Sequence, residues 1–139
     1  MANEITYSSR IAWARGGESV SLSAGDSYTQ LGNTAIGRVD YISLTTVAID
    51  FGTVDDPAFV GFRNEAPKFN ATTGIPLVQI FLATVTPVTF TIVAGVVTAT
   101  NASIILDGGQ GICVPNGGIT WYAISTTATT PLAVVAIQR

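Results

Sequence analysis

The chain has 139 residues, of which 47% are hydrophobic and only 11% are charged, and its net charge is −3. This length is enough for one domain with its own hydrophobic core. An average soluble domain carries about 25% charged residues, so this surface is covered by uncharged polar groups or is partly used for association. With few cations and no basic stripe, the composition argues against a nucleic-acid partner.

The residue inventory also excludes most catalytic and metal-binding chemistry. There is no histidine, and Lys68 is the only lysine, which removes histidine-dependent triads and most zinc sites. Paired carboxylates are sufficient for glycoside hydrolysis, but most candidates fall in predicted turns, where aspartate is favoured for backbone reasons. These candidates are Asp40, Asp50, Asp55, Asp56, Glu65 and Asp107. We therefore expect no enzyme activity, no catalytic residues, no metal site and no cofactor.

A single cysteine and the N-terminal sequence indicate where the protein folds. Cys113 is the only cysteine, and a free thiol argues against an oxidising compartment. Because it lies between Ile112 and Val114, we expect its side chain to be a small buried hydrophobe. The segment Met1–Trp13 lacks the basic start and continuous apolar core of a signal peptide. We therefore expect synthesis and folding in a cytoplasm.

The first predicted element is a strand or extended arm over Ile5–Trp13, which ends at a glycine turn. Its apolar and aromatic content beside a chain terminus predicts that the arm, residues 2–13, lies along a neighbouring molecule. The candidate partner-contact residues in this arm are Ile5, Tyr7, Ile11 and Trp13. In the next segment, Val20–Ala24, apolar residues alternate with serines, which predicts a strand with one buried face and one hydroxyl face.

Strand patterns are stronger between Ile36 and Asn64. Residues Val39–Ser43 alternate, and Val47, Ile49 and Phe51 then fall on one face. A turn follows at 53–57, where aspartates cap backbone amides and a proline fixes its dihedral angle. Ala58–Arg63 has the pattern of another strand.

The stretch from Phe69 to Leu106 contains no charged residue. Its apolar part is long enough to span a membrane as a helix. However, residues 88–94 alternate with the period of a strand, and prolines stand at the starts of its two apolar runs, where strands tolerate them. Valine, isoleucine and threonine also favour a pleated surface. We predict two buried strands here and no membrane segment.

The C-terminal part combines glycine turns with short apolar strands. Glycine-rich segments at 107–111 and 115–118 predict hairpin turns. In the strand Ile119–Ser125, Trp121 and Tyr122 point to opposite faces, and both are candidate partner-contact residues. The last segment, Leu132–Ile137, is apolar on both faces, so it lies centrally in a sheet or at a subunit contact.

Together these patterns predict an all-β protein, an antiparallel sandwich or barrel with little or no helix. Turn signals recur at regular intervals, and no apolar helical period persists for three turns. Without a linker or an internal repeat, we predict a single domain over residues 1–139, with an extended N-terminal arm at 2–13.

One segment resembles a known class of proteins. Residues Ile49–Asn64, with the sequence IDFGTVDDPAFVGFRN, are similar to a segment of small structural proteins encoded by tailed bacteriophages. Met1–Ile5 resembles the start of those proteins. The order of a glycine turn, an aromatic strand and a final apolar strand in Gly108–Ile137 resembles their end.

The resemblance implies a β-sandwich of jelly-roll type that decorates or cements the outside of a phage head. Such a protein binds the major capsid protein at junctions between capsomers, stabilises the shell and carries no catalytic residues. It implies localisation in the virion, on the head surface. We also expect self-association, as a homodimer or homotrimer, through a strand that is apolar on both faces.

Two other classes of function remain open. The first is another virion component, such as a head-fibre base or a tail protein. The second is a carbohydrate-binding jelly-roll module, in which Trp13 and Trp121 would stack on sugar rings, although core packing of at least one tryptophan is the favoured interpretation.

Overall fold

The computed structural model describes residues 4–15, 18–29, 35–67, 78–93, 96–115 and 118–138. Within these ranges the regular secondary structure is β-strand alone, in twelve strands whose pairings are antiparallel. The chain divides into two compact units, Met1–Asn33 and Thr34–Arg139. In the part of the chain that is described, no helix is long and apolar enough to cross a membrane.

The first unit contains a long β-hairpin. Strands β1 (Glu4–Arg15) and β2 (Glu18–Thr29) pair along their whole length. This confirms the strand predicted at the N-terminus. The serine-rich strand was predicted to have one buried apolar face, but Leu22 of β2 is 63% exposed, so the prediction of burial is wrong at this position.

The second unit contains ten strands. They are β3 (Ala35–Ile42), β4 (Val47–Ala48), β5 (Pro57–Asn64), β6 (Gln79–Ala83), β7 (Thr89–Val93), β8 (Val96–Thr100), β9 (Ile104–Asp107), β10 (Gly111–Pro115), β11 (Tyr122–Ser125) and β12 (Thr130–Gln138). Eight of these described strands form two four-stranded sheets. The first sheet has the order β10-β5-β12-β3, and the second has the order β4-β11-β6-β9.

The pairing of these eight strands is nested, which defines a jelly roll. Strand β3 pairs with β12, β4 with β11, β5 with β10, and β6 with β9. The strands thus form one long antiparallel ribbon, and its rolling brings β5 beside β12 and β6 beside β11. An eight-stranded double sheet of this kind is the jelly-roll architecture. The predicted all-β jelly-roll sandwich is confirmed.

The rolled ribbon changes the role of two predicted turns. The glycine-rich segments at 107–111 and 115–118 were predicted to form hairpins. Instead, the first connects β9 to β10 and the second connects β10 to β11, and each crosses from one sheet to the other. The predicted chain reversals are present, but the prediction of hairpin pairing is wrong.

A hydrophobic core fills the space between the two sheets. Side chains of the first sheet, such as Phe62 and Val134, meet side chains of the second, such as Ile80 and Leu82. The ring of Trp121 packs on that of Phe62, with ring centroids 5.3 Å apart. Each buried aliphatic or aromatic side chain of this kind contributes about 1.5–3 kcal/mol to stability.

The β7–β8 hairpin covers the outer face of the second sheet. Phe81 and Ile124, which point away from the main core, form a second cluster against Phe90 and Val97 of the hairpin. Of the two strands predicted to be buried in the charge-free stretch, β6 is buried. The prediction is wrong for β7, because the hairpin lies outside the sandwich and leaves most of β7 exposed, including Val93.

A buried asparagine joins three strands at one end of the sandwich. Asn64, the last residue of β5, is 0% exposed. Its Nδ2 donates hydrogen bonds to the carbonyl oxygens of Val78 and Leu106, at 3.2 and 3.0 Å, and its Oδ1 accepts one from the Ala66 amide at 3.0 Å. All three partners are backbone groups of different segments, so this one side chain holds β5, β6 and β9 together.

The backbone around Asn64 requires a glycine at position 108. The Asn64 carbonyl accepts a hydrogen bond from Gly109 at 2.7 Å, which draws the β9–β10 turn against the chain after β5. A Cβ atom on Gly108 would lie 1.9 Å from the carbonyl oxygen of Pro67. Only a residue without a side chain fits at this contact.

We predict that Asn64→Ala destabilises the protein by about 2–4 kcal/mol, because it removes one part-buried and two buried hydrogen bonds. Chemical denaturation followed by tryptophan fluorescence measures this change. The control is Asn101→Gly, at an exposed asparagine with a φ of 62°, a backbone conformation that glycine adopts freely. Equal losses in the two variants would contradict the role assigned to Asn64.

We predict that Gly108→Ala costs more than about 3 kcal/mol, because the added methyl group forces the backbone at Pro67 to move. The matched control is Gly37→Ala, where the nearest atom to the new Cβ is 4.0 Å away. Thermal unfolding of the two variants gives the comparison. A Gly108→Ala protein as stable as Gly37→Ala would show that the β9–β10 turn is not held against residue 67.

Candidate interaction surface

The outward-pointing residues of the first sheet form the surface with the clearest potential for binding, which we call the outer face. They occupy the positions that alternate with the core residues on its four strands. These residues are Ala35, Gly37, Val39 and Tyr41 of β3; Pro131, Ala133, Val135 and Ile137 of β12; Phe59, Gly61 and Arg63 of β5; and Gly111, Cys113 and Pro115 of β10. They include one charged residue.

The outer face exposes apolar groups across neighbouring strands. Tyr41 and Val135 are 69% and 44% exposed, and Val39 is exposed beside them. The β7–β8 hairpin covers Phe81 and Ile124 on the corresponding face of the second sheet, while Ile105 on that face is 51% exposed. Continuous apolar surface of this kind on a folded protein marks an interaction site. The prediction that the two-faced last segment lies centrally in a sheet is confirmed, since β12 lies between β5 and β3.

The charge on the outer face is balanced locally. Arg63 Nε lies 3.4 Å from the carboxylate of Glu65, and both side chains are substantially exposed. An exposed pair of this kind contributes at most about 1 kcal/mol to stability. A partner that binds the outer face therefore meets no net charge from the Arg63–Glu65 pair.

The middle of the outer face has a raised and a recessed part. Val135 lies directly opposite Gly37 on one side and Gly61 on the other. Because neither glycine has a side chain, Val135 stands between two recesses. A Cβ atom at Gly61 would only reach ordinary contact with Val135, at 3.7 Å, so the recess has room for an apolar group.

Cys113 also lies on the outer face. It was expected to be a small buried hydrophobe, but its position on β10, opposite Gly61, turns it away from the core and leaves it exposed. That expectation is wrong. Partial burial among apolar neighbours raises the pKa of the Cys113 thiol, because desolvation disfavours the thiolate.

Of the predicted contact residues, one is buried in the core and another is half-buried. Trp121 is 5% exposed and belongs to the core, so its side chain does not reach the surface as a partner contact or a sugar platform. Tyr122 points to the opposite face, as predicted, and packs half-buried against the cluster under the β7–β8 hairpin. The side chains of Ile5, Tyr7, Ile11 and Trp13 lie outside the described residues.

Polar groups line an open cleft of about 300 Å³ beside β3 and β4, which includes Arg38, Asp40, Tyr41 and Asp50. Arg38 binds both oxygens of Asp40, at 2.7 and 3.0 Å, and also donates to the Asp50 carbonyl. The hydrogen bond to Asp40 raises the pKa of Arg38 above its usual value. Arg38 is thus already hydrogen bonded to Asp40 and Asp50, which favours a structural role for these three residues.

Several carboxylates of the described residues form hydrogen bonds within the fold. The Asp50 carboxylate accepts a hydrogen bond from the Gly52 amide at 2.8 Å, and Asp107 accepts one from the Gln79 side chain at 2.8 Å. Within the described residues, no group of three or more Asp, Glu, Cys or His side chains is arranged to hold a metal ion.

The fold and its surface thus define a jelly-roll protein with an exposed apolar sheet face. No family model, curated protein or solved structure matches the chain. Its function is therefore inferred from its own residues.

We predict that Cys113 is alkylated more slowly in the folded protein than in the unfolded chain near pH 8. The thiolate is the reactive form, and its pKa is raised in the fold. The rate of iodoacetamide labelling, measured against pH, should reach half its plateau above the value of about 8.5 that is typical of a free cysteine. The denatured chain is the control, and a midpoint in the folded protein at or below that of the control would contradict the prediction.

Proposed function

We propose that the protein is a non-enzymatic structural component of a phage virion that binds the outside of the head shell. Its partner in this proposal is the major capsid protein at junctions between capsomers, and its role is to stabilise the shell. The jelly-roll fold that the phage resemblance implies is the fold of the chain, which supports the proposal. A protein that acts by attachment alone needs binding surfaces and no reaction chemistry.

The residues that resemble phage structural proteins build the sandwich. In Ile49–Asn64, Val54 and Phe62 contribute to the core and Asn64 provides the buried amide. The resemblance is therefore to a segment that determines the fold, and attachment has to be argued from other residues.

The observation that carries the proposal is the N-terminal hairpin. Its strands of 12 residues extend for about 40 Å at the usual rise of a strand. Leu22 is 63% exposed on one of its faces, and Thr6, Ala12 and Ser21 are exposed on the other. A long ribbon with exposed residues on both faces is a suitable element for contacting a neighbouring protein.

The limited stability of an isolated β-hairpin also supports the proposal. A two-stranded hairpin is at best marginally stable in water unless it packs against something else. The backbone register places Ile11 opposite Leu22 and Trp13 opposite Val20, so one face of the ribbon carries the apolar sequence positions. Contact between this face and the head shell would bury its apolar surface, and this burial would stabilise the ribbon.

We predict that Leu22→Asp reduces binding to phage heads by at least about tenfold, because it places a charge where an apolar contact forms. The matched control is Ser21→Asp, the same new charge on the opposite face of the same strand. Heads of the encoding phage, assembled without this chain, are incubated with each purified variant and sedimented. Unfolding curves confirm that both variants retain the fold.

Two results would contradict the proposal. If the unmodified chain does not sediment with heads, the capsid is not its partner. If Leu22→Asp and Ser21→Asp both bind as well as the unmodified chain, the hairpin face is not the attachment element.

A further inference from the structure

We propose that the outer face of the first sheet is the interface at which two copies of this chain associate as a symmetric dimer. The inference is independent of the capsid proposal, since it concerns contact between identical chains through the second unit. It rests on the composition, shape, charge and size of the face.

Composition separates the outer face from an ordinary solvent-exposed sheet. An antiparallel sheet with one face in water alternates apolar and polar residues along each strand. Strand β12 instead places Ala133, Val135 and Ile137 on the outer side and Leu132, Val134 and Ala136 on the inner side. A central strand that is apolar on both sides indicates that its outer side is also covered in the working assembly.

The shape of the face is self-complementary. Val135 projects between the recesses at Gly37 and Gly61, and neighbouring strands are about 4.8 Å apart. A two-fold axis that lies in the interface plane, parallel to the strands and midway between β12 and β5, places the Val135 side chain of each copy over the Gly61 recess of the other. Identical surfaces that meet about such an axis form the isologous contact of a symmetric dimer.

Charge favours an identical partner. The whole chain carries a net charge of −3, so two copies have a net electrostatic repulsion. On the outer face, however, Arg63 is balanced by Glu65 at 3.4 Å. Two copies can therefore meet at this face without placing like charges opposite each other.

The size of the face reaches what a specific contact needs. Three strands of eight or nine residues and the five-residue β10 cover roughly 500 Å² in projection at standard strand spacing. Two copies would together bury about 1,000 Å², the size from which a contact is expected to be specific. The area predicts a dimer that dissociates on dilution.

The first experiment measures the mass of the full chain by light scattering over a range of concentrations. The expected result is a concentration-dependent rise from the chain mass of 14.4 kDa to twice that value. Val135→Asp should raise the dissociation constant at least about 100-fold, because the contact would then bury an unpaired charge in each copy. The matched control is Val93→Asp, the same substitution at an exposed position of β7, which should leave the dimer unchanged.

The second experiment uses Cys113 as a reporter, because it is the only thiol and lies on the outer face. Labelling by a bulky maleimide should slow as the concentration of the chain rises, and Val135→Asp should abolish this protection. Unfolding curves of the variants check that the fold is retained.

Three results would overturn the proposal. A monomer at all concentrations excludes the dimer. Protection of Cys113 that does not depend on concentration indicates that the same chain covers the face. A dimer that survives Val135→Asp in a folded protein places the contact on another surface. Because none of these measurements includes phage heads, failure here is distinguishable from failure of the capsid proposal.

Discussion

The buried amide of Asn64 is the interaction on which the rest of the jelly roll depends. It lies where β5 ends, and it hydrogen bonds backbone groups that precede β6 and terminate β9. Apolar packing can hold two sheets together in several alignments, because it has no direction. A buried amide has only one arrangement in which all its partners are satisfied, so it selects one alignment. The tight passage of Gly108 past Pro67 follows from the same alignment.

Once the sheets are aligned, their outer faces have different roles. The β7–β8 hairpin covers Phe81 and Ile124 on the outer side of the second sheet, so these apolar residues contribute to the fold. The outer face of the first sheet exposes Val39, Tyr41 and Val135. The N-terminal unit contains a β-ribbon with an exposed leucine. In these proposals, the chain contacts an identical copy through the first sheet and a different protein through the ribbon.

Alternation in the sequence predicts much of this architecture and little of its surface. It predicts the strands, the central position of β12 and the opposite directions of Trp121 and Tyr122, because these follow from the two-residue period of a strand. It does not say which of the two faces is covered, so the burial of Trp121 and the exposure of Cys113 were missed. Turn residues predict where the chain reverses, but the sheet that receives the next strand depends on distant pairing. The role of Asn64 also depends on distant partners, so no local pattern signals it.

Nested pairing has a consequence for how the protein is made. Strand β3 pairs with β12, so the first strand of the second unit has no ladder partner until the last strand has left the ribosome. The innermost pair, β6 and β9, is closest in sequence, and each further pair closes a longer loop. Contacts of such long sequence separation form slowly. The sandwich is therefore expected to close only after β12 has emerged from the ribosome, and until then β5 has an unprotected edge that a second nascent chain can occupy.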